Sequence, residues 1–441
     1  MPTVTAVRSS PAPGEKGAAR ATGSRRSGGT LSVLSGTAAG QALVIASMPV
    51  LTRLYSVRDL AVLAVFTSLV GLLAPVAALR LEAAVPLPDG DRDAAALAWS
   101  GFVSAGLFGG VVAVAGLAVG APVSRLLGVP GLGGQWLSLG LAVTAMGLFQ
   151  ITSAWMIRTR RYRALGIRDC AVGVGQVATQ VGLGVAGASA IGLTLGMGLG
   201  RLAGLGGLLC GGGLVRRPAG PRRMAAAVSR YRRFPLVASW SALLNTAGTY
   251  TPVLMIAAAY GDHTVALVGL TIRALSAPSA LITAAVAQVF QGEAAAVVRE
   301  RAPRLRGLVL ATVRRLLLLG AGPTAVVLLL GPALFGLVFG QTWVLAGTFG
   351  SIMGIGYLAR FAVAAVSHTL LILERQGQQL RWDASRLALT LGAMTICLAG
   401  HAPATVTVGV LTATQVVGYG ALLVSCLRAA GAHDRDVAGA S

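Results

Sequence analysis

Residues 216–233, RRPAGPRRMAAAVSRYRR, hold seven arginines and no acidic residue between two long apolar stretches. A loop this basic stays on the cytoplasmic side of a membrane, because arginine-rich short loops resist translocation. Other basic clusters lie at Lys16, Arg20, Arg25 and Arg26, at 158–168, at 299–306 and at 375–386. The gaps between them are almost uncharged, so the clusters occupy every second gap between apolar stretches. That rhythm predicts a polytopic protein of the bacterial inner membrane with both termini cytoplasmic. It also settles the weakest boundary. If 170–188 and 190–214 formed one span, the loop at 216–233 would fall outside, so two spans separated by Gly187-Ala188-Ser189 are expected.

Composition agrees. A mean hydropathy of +0.76, with 55% hydrophobic and 11% charged residues, exceeds what a soluble core of 441 residues can hide. The net charge of +22 would point a soluble protein to nucleic acid. Here the arginines lie in short loops, where topology and anionic headgroups account for them, and nucleic-acid binding is not expected. Cys170, Cys210, Cys397 and Cys426 are solitary and without CxxC spacing, so neither a disulfide framework nor a metal site is indicated. His263, His368, His401 and His433 fall at span ends, in loops or in tails.

Residues 1–30 are rich in Gly, Ser, Pro and Arg and read as a disordered cytoplasmic tail rather than a signal peptide. Spans of membrane length are expected near 31–52, 61–85, 97–119, 136–157, 170–188 and 190–214. A second set is expected near 236–259, 264–290, 308–330, 342–368, 387–401 and 404–427. The domains follow: a six-helix bundle at 31–214, a cytoplasmic linker at 215–235, a second bundle at 236–427 and a tail at 428–441. The fold class is all-α, about twelve transmembrane helices in two six-helix bundles around a central cavity.

The halves repeat. Pro49 and Pro75 recur as Pro252 and Pro278, each 203 residues later, and Trp136 and Met146 recur as Trp343 and Met353, each 207 later. An even number of helices per half makes the repeats parallel, with the substrate path between them. Pro49, Pro75, Pro252, Pro278 and Pro323 within spans mark bends near a cavity.

Candidate functional residues are charges and polar stripes inside the bilayer, which are costly unless they face protein or water. Arg80, Arg201, Arg273 and Arg360 qualify. Arg273 heads a small and polar stripe through Ser276, Ala280, Ala284, Gln288 and Gln291. Tyr357, Arg360, Ala364 and Ser367 form another, Ser241, Asn245 and Thr249 a third, and Thr37 with Gln41 a weaker fourth. Glu82 is the acid well inside a span and a candidate for a coupling ion. Arginines without acidic partners in one cavity favour an anionic ligand, and guanidinium forks suit phosphate oxygens. The competing reading is that they pair and fix packing.

These residues resemble a known family. LTRLYSVRDL (51–60) and LRLEAAVPLP (79–88) look like the first hairpin of the bacterial oligosaccharide flippases of the O-antigen type, within the multidrug, oligosaccharidyl-lipid and polysaccharide exporter superfamily. FPLVASWSALLNTAG (234–248) looks like the family's entry into its second half, and RALSAPSALITAAVAQVFQGEAA (273–295) looks like its eighth helix. GQTWVLAG (340–347) and LILERQGQQLRWDASRL (371–387) look like the segment around its tenth helix and the following loop. The resemblance implies a non-enzymatic flippase that carries an undecaprenyl-diphosphate oligosaccharide for surface polysaccharide or lipopolysaccharide synthesis. Its implied partners are that lipid-linked oligosaccharide, membrane lipids and other polysaccharide-assembly proteins. The alternatives are a small-molecule exporter of the same superfamily, or a membrane polysaccharide polymerase or glycosyltransferase. No cofactor and no nucleotide-binding motif is indicated.

Overall fold

The computed structural model of this chain describes residues 15–210 and 220–440; Arg216, Arg217 and the side chains of Lys16, Arg20, Arg25, Arg26, Cys210 and Ser241 lie outside the described residues. The described residues are helical and contain no strand. The helices are α1 (Glu15–Leu54), α2 (Val57–Ala77), α3 (Leu81–Ala84), α4 (Asp91–Leu126), α5 (Trp136–Arg158), α6 (Tyr162–Val185) and α7 (Ala190–Cys210). There follow α8 (Pro221–Arg230), α9 (Ser239–Arg299), α10 (Leu305–Phe339), α11 (Val344–Ala364), α12 (His368–Ile372), α13 (Gln376–Ala399) and α14 (Ala404–Ala440).

Helix α9 is two crossing helices joined at Gly261, whose φ of 75° is open to glycine and strained for other residues. With α9 counted as two arms and the short α3, α8 and α12 set aside, twelve described segments are each at least 21 residues long. At about 1.5 Å per residue, 21 residues reach the roughly 30 Å of a hydrocarbon core. The protein is therefore an all-α, multi-pass membrane protein. Apolar side chains on the outer helices require lipid: Leu117 of α4, Leu329 of α10 and Ile396 of α13 are 69%, 80% and 75% exposed.

The helices overrun the expected spans. α1 is helical from Glu15, because Ala, Arg, Glu and Lys continue a helix before the apolar run begins, which corrects the expected disordered tail over residues 15–30; residues 1–14 lie outside the described residues. The linker contains the amphipathic α8, which buries Ala227 and packs Met224, Val228 and Tyr231 against the first half. The C-terminal tail continues α14, burying Ala429 and Ala430. Asp434 accepts from the backbone N–H groups of Leu305 (2.9 Å) and Arg306 (3.0 Å), capping α10 from another helix.

The internal repeat is visible in the backbone. Left-handed residues end matching helices: Gly128 after α4 and Gly340 after α10, Arg160 after α5 and Glu374 after α12, Gly187 after α6 and His401 after α13. Trp136 follows a short 3-10 turn and Trp343 ends one, and both are buried. Gly140 and Gly347, 207 residues apart like the tryptophans, sit where a Cβ would collide with the carbonyl of Gly109 and of Gly331. Each lets the third and fourth helices of its half touch backbone to backbone.

The two ends of the molecule differ. Basic loops gather at one end, where Arg158 Nη2 pairs with Asp91 (3.0 Å) and Arg223 Nε with Asp93 (3.1 Å). There the apolar cores are separate: one built from α3, α4, α5 and α8, the other from the second arm of α9 through α14. At the charge-poor end one core joins both halves, from Met48, Leu51 and Phe66 to Ile256, Leu267, Phe335 and Trp343. Arg58 meets Asp262 there at 3.6 Å, and Gly128 lies against Ala257 and Gly261. The molecule is closed at its charge-poor end and parted at its basic end.

Candidate functional site

The parted end leads to a cavity of about 240 Å3 between α2, both arms of α9, α11, α13 and α14. Three arginines line it: Arg273, Arg360 and Arg386. Around them stand the hydroxyls of Thr67, Ser68, Thr249, Tyr250, Tyr357 and Tyr419, and the amide of Gln415. Its floor is the contact of Ala64 with Gly269, the first layer of the core that seals the charge-poor end.

Arg273 Nη2 donates to Thr67 Oγ1 at 2.8 Å, bridging the two halves. The Arg386 guanidinium lies over the Trp382 ring, 5.0 Å from its centroid, and its Nε is buried without a hydrogen-bond partner. Trp382 is held in turn, its Nε1–H donating to Gly418 O at 2.7 Å. Among the described residues no carboxylate lies within 4 Å of any of the three arginines; the six ion pairs are all elsewhere. Asp383, three residues before Arg386 on α13, offsets part of the Arg386 charge without pairing with it, while Arg273 and Arg360 form no ion pair among the described residues. With several hydroxyls beside them, these guanidinium groups can hold an anion rich in oxygen. The cavity suits a cation poorly.

The candidates from the sequence divide. Arg273, Arg360 and Tyr357 line the cavity. Arg80 does not: α2 stops at Ala77, and Leu79 and Arg80 adopt φ of 51° and 56° in the turn before α3. Its Nη1 lies 3.2 Å from Glu82 Oε1, ion-pair distance without hydrogen-bond alignment. Glu82 therefore sits in the connection between crossing helices, with both carboxyl oxygens buried and lacking hydrogen bonds. Burial pushes its carboxyl above the ordinary range; Arg80 and the backbone oppose this less strongly.

Arg201 lies one layer behind the cavity wall, its Nη1 donating to Met197 O (2.8 Å) and its Nε to Met146 Sδ (3.3 Å). Asn245, Gln41 and Gln288 are exposed and do not line the cavity. Thr37 is used structurally: its hydroxyl donates to Asp169 Oδ2 at 2.7 Å, and Asp169 Oδ1 pairs with Arg168 at 2.7 Å. Arg168, buried and stacked on Phe149, ties α1, α5 and α6 together.

Arg386 was hidden by its neighbourhood. Counted with the loop cluster at 375–386, it lies within a continuous α13, four residues after Trp382 and four before Thr390, which also lines the cavity. The spacing Trp382, Arg386, Thr390 was the available signal.

Comparison with known proteins follows the same lines. Residues 50–346 match the family model described as "Polysaccharide biosynthesis protein". No curated relative matches the chain. Among solved structures, the chain is similar to the lipid II flippase MurJ in an inward closed conformation, at 10% identity and a TM-score of 0.66, covering 90% of this chain and 87% of that one. It is similar to an inward-facing multidrug resistance MATE family transporter of the MOP superfamily at 14% identity and a TM-score of 0.59, covering 92% and 96%. It is also similar to a MOP superfamily transporter from Pyrococcus furiosus, described by the reverse polarity of its binding pocket, at 12% identity and a TM-score of 0.55, covering 93% and 96%. At these identities the structures show a shared fold.

Proposed function

The chain belongs to the polysaccharide biosynthesis protein family, and on that premise we propose that it is a flippase for a lipid-linked oligosaccharide in the bacterial inner membrane. The cargo is an undecaprenyl-diphosphate glycan whose diphosphate is held by Arg273, Arg360 and Arg386. The observation that carries this reading is the cavity lined by three arginines, none of them within 4 Å of a carboxylate among the described residues, set between two repeat-related halves.

The cavity's 240 Å3 lies below the roughly 300–1,000 Å3 of an ordinary small-ligand pocket, so it takes the diphosphate and the nearest sugar atoms. The rest of the glycan extends into the parted basic end. A multidrug exporter with a cationic substrate would leave these guanidinium groups facing a like charge.

The basic loops support a cytoplasmic parted end, on the side where lipid-linked glycans are assembled, and on that reading the state described is open inward. Transport requires the shared core at the charge-poor end to open while the basic end closes. Arg273, which already bridges to Thr67 of the other half, would exchange that bond for a phosphate oxygen and release one contact between the halves as cargo binds.

The test is flipping itself, with purified protein in liposomes, a fluorescent undecaprenyl-diphosphate glycan, and an impermeant quencher that reads leaflet exposure. Wild type should abolish leaflet sidedness. Arg273→Ala should slow the process by about ten- to a hundredfold, the loss of roughly 1.5–3 kcal/mol for a charge-assisted hydrogen bond. Wild-type rates in the folded variant, with undiminished affinity for inorganic pyrophosphate, would remove Arg273 from cargo binding.

A further inference from the structure

A second space adjoins the arginine cavity. The second arm of α9, α10 and α11 enclose a groove of about 310 Å3 whose walls include Pro278, Ile282, Leu319, Pro323, Tyr357 and Phe361. Tyr357 lines both spaces, so its ring is the partition between a cationic chamber and a hydrocarbon one. The groove offers few free polar groups; the hydroxyl of Ser279 in its wall already donates to the carbonyls of Leu275 and Ser276 on its own helix.

Two prolines keep it open. Pro278 and Pro323 line the groove from α9 and α10, and each removes a helical hydrogen bond and bends its helix. At the rim, Ile282 and Leu319 are 40% and 55% exposed, so the groove opens to the lipid-facing perimeter of the second half.

We propose that this groove receives the first isoprenoid units of a polyprenyl diphosphate whose diphosphate lies in the arginine cavity, an inference that rests on the reading given under Proposed function. A molecule anchored by its diphosphate beside Arg273 and Arg360 must begin its hydrocarbon chain within a few bonds, and the apolar space next to those residues begins at Tyr357. Isoprenoid units that leave the bilayer for the groove exchange one apolar surrounding for another, so the groove acts through shape and packing and gives the protein a grip on lipid identity that a phosphate site lacks. At 310 Å3 it holds only the head-proximal part, and the remaining chain runs out past Ile282 and Leu319 into the bilayer.

The experiment uses the full chain in nanodiscs and a polyprenyl diphosphate with a photoreactive group on its first isoprenoid units. Cross-links are mapped by mass spectrometry, and affinity for inorganic pyrophosphate is measured in parallel. Labels should fall on α9, α10 and α11 around Ile282, Leu319 and Leu358. Ile282→Trp and Leu319→Trp, at partly exposed positions that tolerate bulk, should each reduce labelling about tenfold, because an indole fills the space that the first isoprenoid unit would take. Neither should change pyrophosphate affinity, which Arg273→Ala should lower.

If pyrophosphate binding depends on Arg273 while labels fall elsewhere, the groove assignment is wrong and the cargo reading stands. The groove assignment fails equally if a photoreactive phosphatidylethanolamine labels the groove to the same extent and the polyprenyl diphosphate does not displace it. If pyrophosphate binding does not depend on Arg273, the arginine cavity is not the head site and both readings fail.

Discussion

The charge-poor and basic ends of this molecule are built from the same repeated helices and pack in opposite ways. At the charge-poor end, α2 and α9 interlock through small residues, Ala64 against Gly269, and one core runs unbroken from Met48 to Trp343. At the basic end the two cores stay apart, and the contacts present are ion pairs and caps within each half, such as Arg158 with Asp91 and Asp434 with the start of α10. Apolar packing between halves is strong, while a polar end parts cheaply because water replaces what is lost. Under the proposed function, the contrast is what alternating access needs in one of its two states, with the sealed end opening in the other.

The largest expected effect comes from fixing the closed end. With native cysteines replaced, Arg58→Cys and Asp262→Cys joined by a short bis-maleimide should abolish flipping, while pyrophosphate still binds, because the side chains already meet at 3.6 Å. Flipping that survives the cross-link would mean that the charge-poor end does not open.

A smaller effect is expected at the cavity. Arg386→Ala should raise the Kd for pyrophosphate about tenfold, the equivalent of roughly 1.4 kcal/mol. Its guanidinium is already packed over Trp382 with a buried, unbonded Nε, so little rearrangement is needed to bind an anion. An unchanged Kd by calorimetry would make Arg386 a wall residue only.

Asp434→Ala should destabilise by about 1 kcal/mol, the usual cost of losing a helix cap. The loss should appear in thermal unfolding and leave pyrophosphate affinity unaltered, because the capped N-terminus lies away from the cavity. An altered affinity would show that the basic end and the cavity are coupled.

The smallest effect is a pH dependence. Glu82 has a carboxyl pKa raised by burial, so the folded state holds its proton more tightly than the unfolded chain does. Its stabilising contribution is full below the unfolded-state pKa and is lost as pH rises through the raised folded value. Glu82→Gln should therefore gain stability relative to wild type as pH increases from about 4 towards 8. A difference constant across that range would show that Glu82 does not change protonation between the folded and unfolded states.

The fold was legible because lipid imposes two simple signals. Apolar length gave the segments, and arginine placement gave the alternation that the contacts at each end now display. The split at Gly187 is a left-handed turn between α6 and α7, where the loop at 216–233 required a break. The Trp136 and Trp343 correspondence marks the same turn in each half. Helix ends were less legible, because hydropathy fades where helices leave lipid but the backbone continues, as in α1, α10 and α14.

The cavity was legible only in part. Arg273, Arg360 and Tyr357 could be picked because a charge or tyrosine within a long apolar helix is expensive and stands out. Arg80 and Arg201 stand out equally and are placed elsewhere, one in a left-handed turn beside Glu82 and the other packed against Met146 and Met197. Arg386 did not stand out, being one arginine among several.

By itself the sequence determined that this chain is a twelve-helix membrane protein with a repeated half and basic loops on one face, since hydrophobic length and charge placement act segment by segment. Which arginines share a cavity, which end is sealed, and where a groove adjoins the cavity at Tyr357 were decided by tertiary structure. Those properties depend on how helices about 200 residues apart are rotated against one another, and that rotation is set by the small residues at their contacts rather than by any local pattern.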